Sequence, residues 1–222
     1  MVKYFDEELG ELSKKLLQMC ALVEEAISRS VNSLVRRDSA LADKVFESED
    51  VINRLEIDVD ELCLRLLALY QPAAIDLRFI TAAMKMNSDL ERIGDLAVNI
   101  AECAQEIVKQ PPLKPLIDIP RMASLAQSMV KDSIDALVKR DEMLARSVCE
   151  RDDEVDSLND QVFRELLTYI MQDPKTTSRA VQLILVARHL ERMADHATNI
   201  AEDVIYFLKG KTIKHRIEDE RV

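Results

Sequence analysis

The chain repeats itself. Residues 91–102 read ERIGDLAVNIAE and residues 191–202 read ERMADHATNIAE, identical at eight of twelve positions with an offset of 100. A second block returns at an offset of 103: SVNSLVRRDSALADKVFESED (30–50) and SIDALVKRDEMLARSVCERDD (133–153) share ten of twenty-one residues. The difference between the offsets is absorbed in the short segments QPAAIDLR and DPKTTSR, where a turn can lose or gain residues. The chain therefore folds as two copies of one unit, and whatever that unit is must be built twice.

The unit is helical. Only three glycines and six prolines punctuate 222 residues, and aromatics are 4% with no tryptophan. A β-rich chain needs turn residues every few positions and draws on aromatic and β-branched side chains. Four of the six prolines cluster in PPLKPLIDIP, residues 111–120, at the midpoint; such a run cannot be helix interior. Elsewhere apolar residues recur with a 3.6-residue period, as in Met86, Leu90, Ile93, Ala97, Ile100, Ala104 and Ile107. Breaks at Asp38 and Asp141, each a candidate N-cap, and at Pro72 and Pro174 complete the division. Helices are expected at about 3–37, 39–70, 75–110, 121–140, 142–172 and 176–210. The fold class is all-α: two tandem, pseudo-symmetric three-helix bundles of long antiparallel helices, residues 1–110 and 121–217, joined by the Pro-rich linker 111–120.

Charge and cysteines narrow the partners and the compartment. The formal net charge of −11 argues against sequence-independent nucleic-acid binding and against an anionic membrane surface. The acidic start MVKYFDEE is not a signal peptide, and no apolar run approaches the ~18 residues of a membrane span. Cys20, Cys63, Cys103 and Cys149 have no metal or redox spacing and read as buried free thiols in a reducing cytoplasm. The basic stretch Lys209, Lys211, Lys214, His215 and Arg216 reads as a helix end. Long helices with charge-poor flanks suggest a homodimer.

The repeated block carries carboxylates in register. At 100° per residue, Glu91, Asp95, Asn99, Glu102 and Glu106 share a stripe away from the apolar face, and Glu191, Asp195, Asn199 and Glu202 repeat it. With the hairpin folded about residue 174, Asp152 and Asp156 come level with Glu191 and Asp195. In the first unit the aligned positions are Glu49 and Asn53, beside Asp50. Carboxylates gathered in this way repel, and protonation, arginine partners or metal cations must offset the repulsion. Oxygen-only ligands suit hard cations such as Mg²⁺, Ca²⁺, Mn²⁺ or oxidised iron. The candidate metal residues are Glu91, Asp95, Asn99 and Glu49 in the first unit, and Glu191, Asp195, Asn199, Asp152 and Asp156 in the second. Histidine is scarce and no Glu-x-x-His occurs, which disfavours a ferritin-like di-iron oxidase. A stripe facing outward also fits poorly with a carboxylate-metal hydrolase, the alternative reading, which needs an enclosed pocket.

LERIGDLAVNIAE and LERMADHATNIAE, with YQPAAIDLR before the first and ARH before the second, closely resemble the signatures of the PhoU family over about residues 3–217. The resemblance implies two three-helix bundles and a non-enzymatic negative regulator of phosphate uptake and of the phosphate-starvation response. It implies an adaptor between the ATPase subunit of a phosphate transporter and a sensor histidine kinase, held at the inner face of the membrane through those partners. It also implies metal clusters, iron favoured, on acid-x-x-x-Asp motifs: here Glu91/Asp95, Glu191/Asp195 and Asp152/Asp156. Glu49/Asn53 departs from the motif, so the first site is expected to hold fewer or weaker ions than the second.

Overall fold

The computed structural model describes the backbone of residues 2–210 and the side chains of residues 4–210. It is 91% helical, and no strand occurs among the described residues. Six long helices follow one another: α1 (Val2–Arg36), α2 (Ser39–Tyr70), α3 (Ala74–Val108), α4 (Asp118–Lys139), α5 (Glu142–Gln172) and α6 (Thr177–Lys209), with a single 3-10 turn, Pro174–Thr176, leading into α6. Lys211, Lys214, His215 and Arg216 of the basic stretch, and residue 217, lie outside the described residues.

The expected boundaries hold to within a few residues, and one difference has a clear cause. α4 begins at Asp118, not at 121, so Pro120 sits inside its first turn. The first N–H groups of a helix have no intrahelical acceptor, and a proline there forfeits nothing. Pro111, Pro112 and Pro115 remain in the irregular connection. The two aspartates cap as anticipated: Asp38 accepts from the Ala40 N–H and Asp141 from the Leu144 N–H, each at 3.0 Å. The residue before each cap, Arg37 (φ 56°) or Arg140 (φ 52°), is left-handed. Such a turn costs a non-glycine residue about 1–2 kcal/mol. Both arginines use the position: Arg37 donates to the carbonyls of Val108 (2.8 Å) and Gln110, and the Arg140 guanidinium lies 5.9 Å from the Phe207 ring.

α1, α2 and α3 pack on one another, as do α4, α5 and α6; between the two sets only α3 with α6 and α1 with α4 meet among the described residues. These are the pairings a two-fold axis leaves unchanged when it exchanges α1 with α4, α2 with α5 and α3 with α6. The side-chain contacts show both pairs antiparallel, which sets that axis across the helices and not along them. Arg78 Nε reaches the Phe207 carbonyl (3.2 Å), Lys85 reaches Asp203 (3.2 Å) and Asp89 meets His196 (2.8 Å), so α3 ascends as α6 descends. Gln127 donates to the Glu24 carbonyl (3.1 Å), and Cys20 Sγ faces the Val130 carbonyl, tying α1 to α4. One continuous apolar core runs through both sets. Cys20, Cys63 and Cys103 are buried in it, Cys149 is half-buried, and all four are free thiols.

Because Asp38 and Asp141 cap equivalent helices far apart, Asp38→Ala and Asp141→Ala should each cost about 1 kcal/mol. The double variant should lose the sum. Urea unfolding followed by circular dichroism measures both.

Candidate functional site

α5 and α6 bring the second carboxylate group together. Asp152 and Asp156 are one turn apart on α5; Glu191 and Asp195 are one turn apart on α6. Burial pushes the Asp152 carboxyl up to about 6, and the negative charges of Asp195, Asp156, Asp153 and Glu191 add to the shift. Asp156 is raised by burial and by Asp195, with Arg188 opposing. Glu191 is raised by burial and then by Asp195, while Arg188 pulls it back. The stripe is less exposed than its angle on a lone helix suggests. Glu191 retains only 8% of its surface because α5 packs along that edge of α6, whereas Asp195 and Asp156 remain exposed. Arg188 pairs with Glu191 Oε1. Glu191 Oε2 and Asp152 Oδ1 are covered from solvent and have no hydrogen-bond partner.

In the first unit Glu91 and Asp95 on α3 share Arg92, at 3.5 and 3.6 Å. Glu91 is raised by burial, by Asp95 and by Glu56, against Arg92. The carboxylates that α2 contributes here are Glu56 and Asp60. Glu56 is raised by burial and Asp60, and the charge of Asp95 also reaches it. Buried Asn87 joins the helices, donating to the Glu56 carbonyl (2.9 Å) and to Asp60 Oδ1 (3.0 Å). Glu49 is half-buried and makes no hydrogen bond or ion pair with Glu91 or Asp95; Asn99 and Asn199 are half-buried on the same helices as the acids. Glu56 and Asp60 were legible as an acid-x-x-x-acid pair, but alignment of the repeats directed attention to Glu49 and Asn53 instead.

The donor set suits a hard cation. It is carboxylate oxygen throughout, and two covered oxygens of the second group have nothing else to bind. Cys149, one turn before Asp152, stays protonated near neutral pH in the metal-free protein, because burial pushes its thiol up to about 12. Among the described residues no three His, Cys, Asp or Glu side chains already converge as a formed metal centre. The acids also lie apart from two cavities at opposite ends of the α3–α6 pair, neither of which has any of these carboxylates in its wall.

The raised Asp152 pKa fixes a pH dependence. In the unfolded chain an aspartate titrates near about 3.9; in the folded chain Asp152 titrates at about 6. Between those values the native state holds more proton than the unfolded state, so stability falls as pH rises through this window. In chelator-treated protein, Asp152→Asn should melt at a higher temperature than wild type at pH 7, and the two curves should converge towards pH 4.

The family model described as the PhoU domain matches twice, over residues 16–104 and 119–204. The phosphate-specific transport system accessory protein PhoU homolog of Aquifex aeolicus is 45% identical over 210 residues, spanning 95% of each chain. The homolog of the same description from Pseudomonas aeruginosa is 42% identical over 95% of this chain and 88% of its own. The crystal structure of PhoU from Pseudomonas aeruginosa superposes with a TM-score of 0.90, covering 93% of this chain and 100% of that one at 42% identity. That of the phosphate transport system regulatory protein PhoU from Streptococcus pneumoniae gives 0.84 over 94% and 98% at 31% identity. Two matches of the domain, with relatives of this identity over almost the whole length, show that the chain belongs to the PhoU family.

Proposed function

We propose that the chain is a non-enzymatic accessory protein that regulates phosphate uptake and the phosphate-starvation response, a metal-carrying helical adaptor between the ATPase subunit of the phosphate transporter and a sensor histidine kinase. The observation that carries the phosphate-transport reading is the near full-length similarity to accessory proteins of phosphate-specific transport systems. The two units, residues 1–110 and 121–217 about the linker 111–120, would each offer a long helical face to a partner. No described helix is long and apolar enough to cross a membrane, and membrane association would run through the transporter and kinase from the cytoplasmic side. We also read the chain as a homodimer. A pull-down from phosphate-replete cells should recover the transporter ATPase and the kinase; recovery of neither would overturn the adaptor reading. Light scattering at tens of micromolar should give twice the 25.3 kDa chain mass, and a purely monomeric species would count against the dimer.

The metal reading rests on the second carboxylate group. Asp152, Asp156, Glu191 and Asp195 would turn their side chains onto a shared hard cation, iron favoured with Mn²⁺, Mg²⁺ and Ca²⁺ as alternatives, and the two covered, unpartnered oxygens are the atoms with most to gain. In the first unit Glu91 and Asp95, with Glu56 and Asp60 reaching across from α2, would hold ions less tightly because Arg92 already occupies both α3 acids. Bound cations would neutralise charges that otherwise repel, and so stabilise the bundle. A hydrolase would need the acids to face an enclosed substrate pocket, and the two cavities described lie elsewhere.

Asp195→Asn should lower the metal content of protein purified without chelator while leaving its helicity intact, since Asp195 is exposed. Wild type should melt lower after chelator treatment, and the variant should respond less. Equal stoichiometry in both proteins, or melting curves indifferent to chelator, would defeat the metal reading. Phosphatase activity appearing with added Mn²⁺ and lost in Asp195→Asn would favour the hydrolase instead.

A further inference from the structure

The linker roofs a cavity of about 240 Å³. Its walls are apolar: Leu34 of α1, Ile107 of α3, Leu183 of α6, and Leu113 and Leu116 of the linker itself. Three cations also line it, Arg37, Lys114 and Arg179. Lys114, whose side chain is only 6% exposed, pairs with Glu165. Arg37 is spent on the carbonyls that end α3. Arg179 forms no ion pair among the described residues. Its Nη1 donates to the Pro111 carbonyl at 3.0 Å, and its Nε is covered from solvent with no partner. The edge this leaves, Nε with Nη2, is the edge of a guanidinium that grips a planar carboxylate through two parallel hydrogen bonds.

The duplication supplies an internal control. A cavity of about 200 Å³ lies at the opposite end of the α3–α6 pair, where Val138 and Arg140 stand for Val35 and Arg37 and Phe207 for Ile107. There Phe79 occupies the position of Arg179, the lining holds one acid, Asp76, and one cation, Arg140, and Gly10 and Ser13 of α1 take the place of the linker. The scaffold therefore keeps such a cavity with its charges balanced. The excess positive charge under the linker is not a requirement of the fold, and in a chain of net charge −11 it stands out.

We propose that the cavity under the linker binds a small organic carboxylate with a short apolar body, its carboxylate on the Nε–Nη2 edge of Arg179 and its carbon chain against Leu34, Ile107 and Leu183. The volume falls below the roughly 300–1,000 Å³ of drug-sized sites, so the ligand is a short-chain or single-ring acid. Occupancy joins the linker to α1, α3 and α6 at once, and so bears on how the two halves are held. The proposal is independent of the carboxylate groups on α3, α5 and α6.

Titration of the full chain with hexanoate, followed by calorimetry and by the shift in melting temperature, tests it. Binding should saturate at one site. Affinity should rise from propionate to hexanoate by roughly threefold to fourfold per methylene. Arg179→Gln should weaken hexanoate by about tenfold or more. Because that variant also loses the Pro111 bond, a second variant keeps it: Val35→Phe, at the partly exposed rim, should block hexanoate with Arg179 in place. Hexanol and inorganic phosphate, each lacking half of the recognised chemistry, should bind far more weakly. Absence of saturation, unchanged binding in both variants, or phosphate or hexanol binding as tightly as hexanoate would overturn the proposal.

Discussion

The antiparallel packing of α3 on α6 is the contact on which the rest of the molecule depends. Each of these helices touches three others, and each buries roughly twice as many residues as α2 or α5. A helix covered on so many sides must be apolar over most of its circumference or carry small residues there. Ala82, Ala83, Gly94, Ala97, Ala101 and Ala104 on α3, and Ala180, Ala187, Ala194, Ala197 and Ala201 on α6, provide this. At Gly94 an added Cβ would stand 3.3 Å from the Ile52 side chain, tighter than an ordinary contact, so the missing atom lets α2 pack there without Ile52 having to shift. What polar chemistry remains on α3 and α6 is confined to the strips between neighbouring helices, and there the carboxylate groups form.

The register of the central pair is held by polar contacts that the repeat does not share. Asp89 meets His196 and Lys85 meets Asp203, while the two-fold partners of these positions are His189 opposite Leu96, and Leu185 opposite Cys103. The axis therefore governs backbone placement, and each half adds its own side-chain pairs. Asp203 is almost fully buried, and Lys85, itself exposed, reaches it across the helix pair and lies 5.6 Å from the Tyr206 ring. A buried acid costs several kcal/mol unless it is paired, and Lys85 supplies one of the partners of Asp203.

Much of this was legible in the sequence because it rests on local rules. Helix periodicity, the aspartate caps and the repeat identify the elements to within a few residues, and the α5–α6 hairpin brings Asp152 and Asp156 level with Glu191 and Asp195 as its spacing requires. The α2–α3 hairpin shows where such reasoning stops. A turn centred near residues 72–73 puts position 54 opposite Glu91. The observed turn has Gln71 and Ala74 in left-handed conformations, φ 47° and 49°, and pairs Glu56 and Asp60 with the Glu91 and Asn87 level. The register itself is close to the one that turn centre gives, since Gly94 faces Ile52 and Asn87 reaches Glu56 and Asp60, which flank residue 58. What differs is that the α2 acids leaning towards α3 lie further along the helix than Glu49 and Asn53. Which acids face the neighbouring helix depends on the roll of each helix about its own axis, which alignment of the two repeats does not encode. The burial of Glu191 was hidden for a related reason: a helical wheel shows which way a side chain leaves its own helix, but not how far the neighbouring helix covers it.

The departures from two-fold symmetry are consequently more informative than the symmetry. Both halves must solve the same packing problem, so a feature present in one and absent at the equivalent place in the other is not owed to the packing. The apolar stripe Phe163, Leu167 and Met171, exposed on α5, corresponds to Asp60, Leu64 and Ala68 on α2. Asp60, in turn, enters the acidic group of the first unit, where the second has phenylalanine. Arg179 under the linker corresponds to Phe79 at the other end. Each exchange leaves the helix and its core face unchanged and alters only what is offered to solvent, to a cavity or to a cation. In a duplicated bundle the shared apolar residues set the scaffold's geometry and the shared acids of α3 and α6 its common chemistry; the unshared residues are what makes the chemistry of the two halves differ.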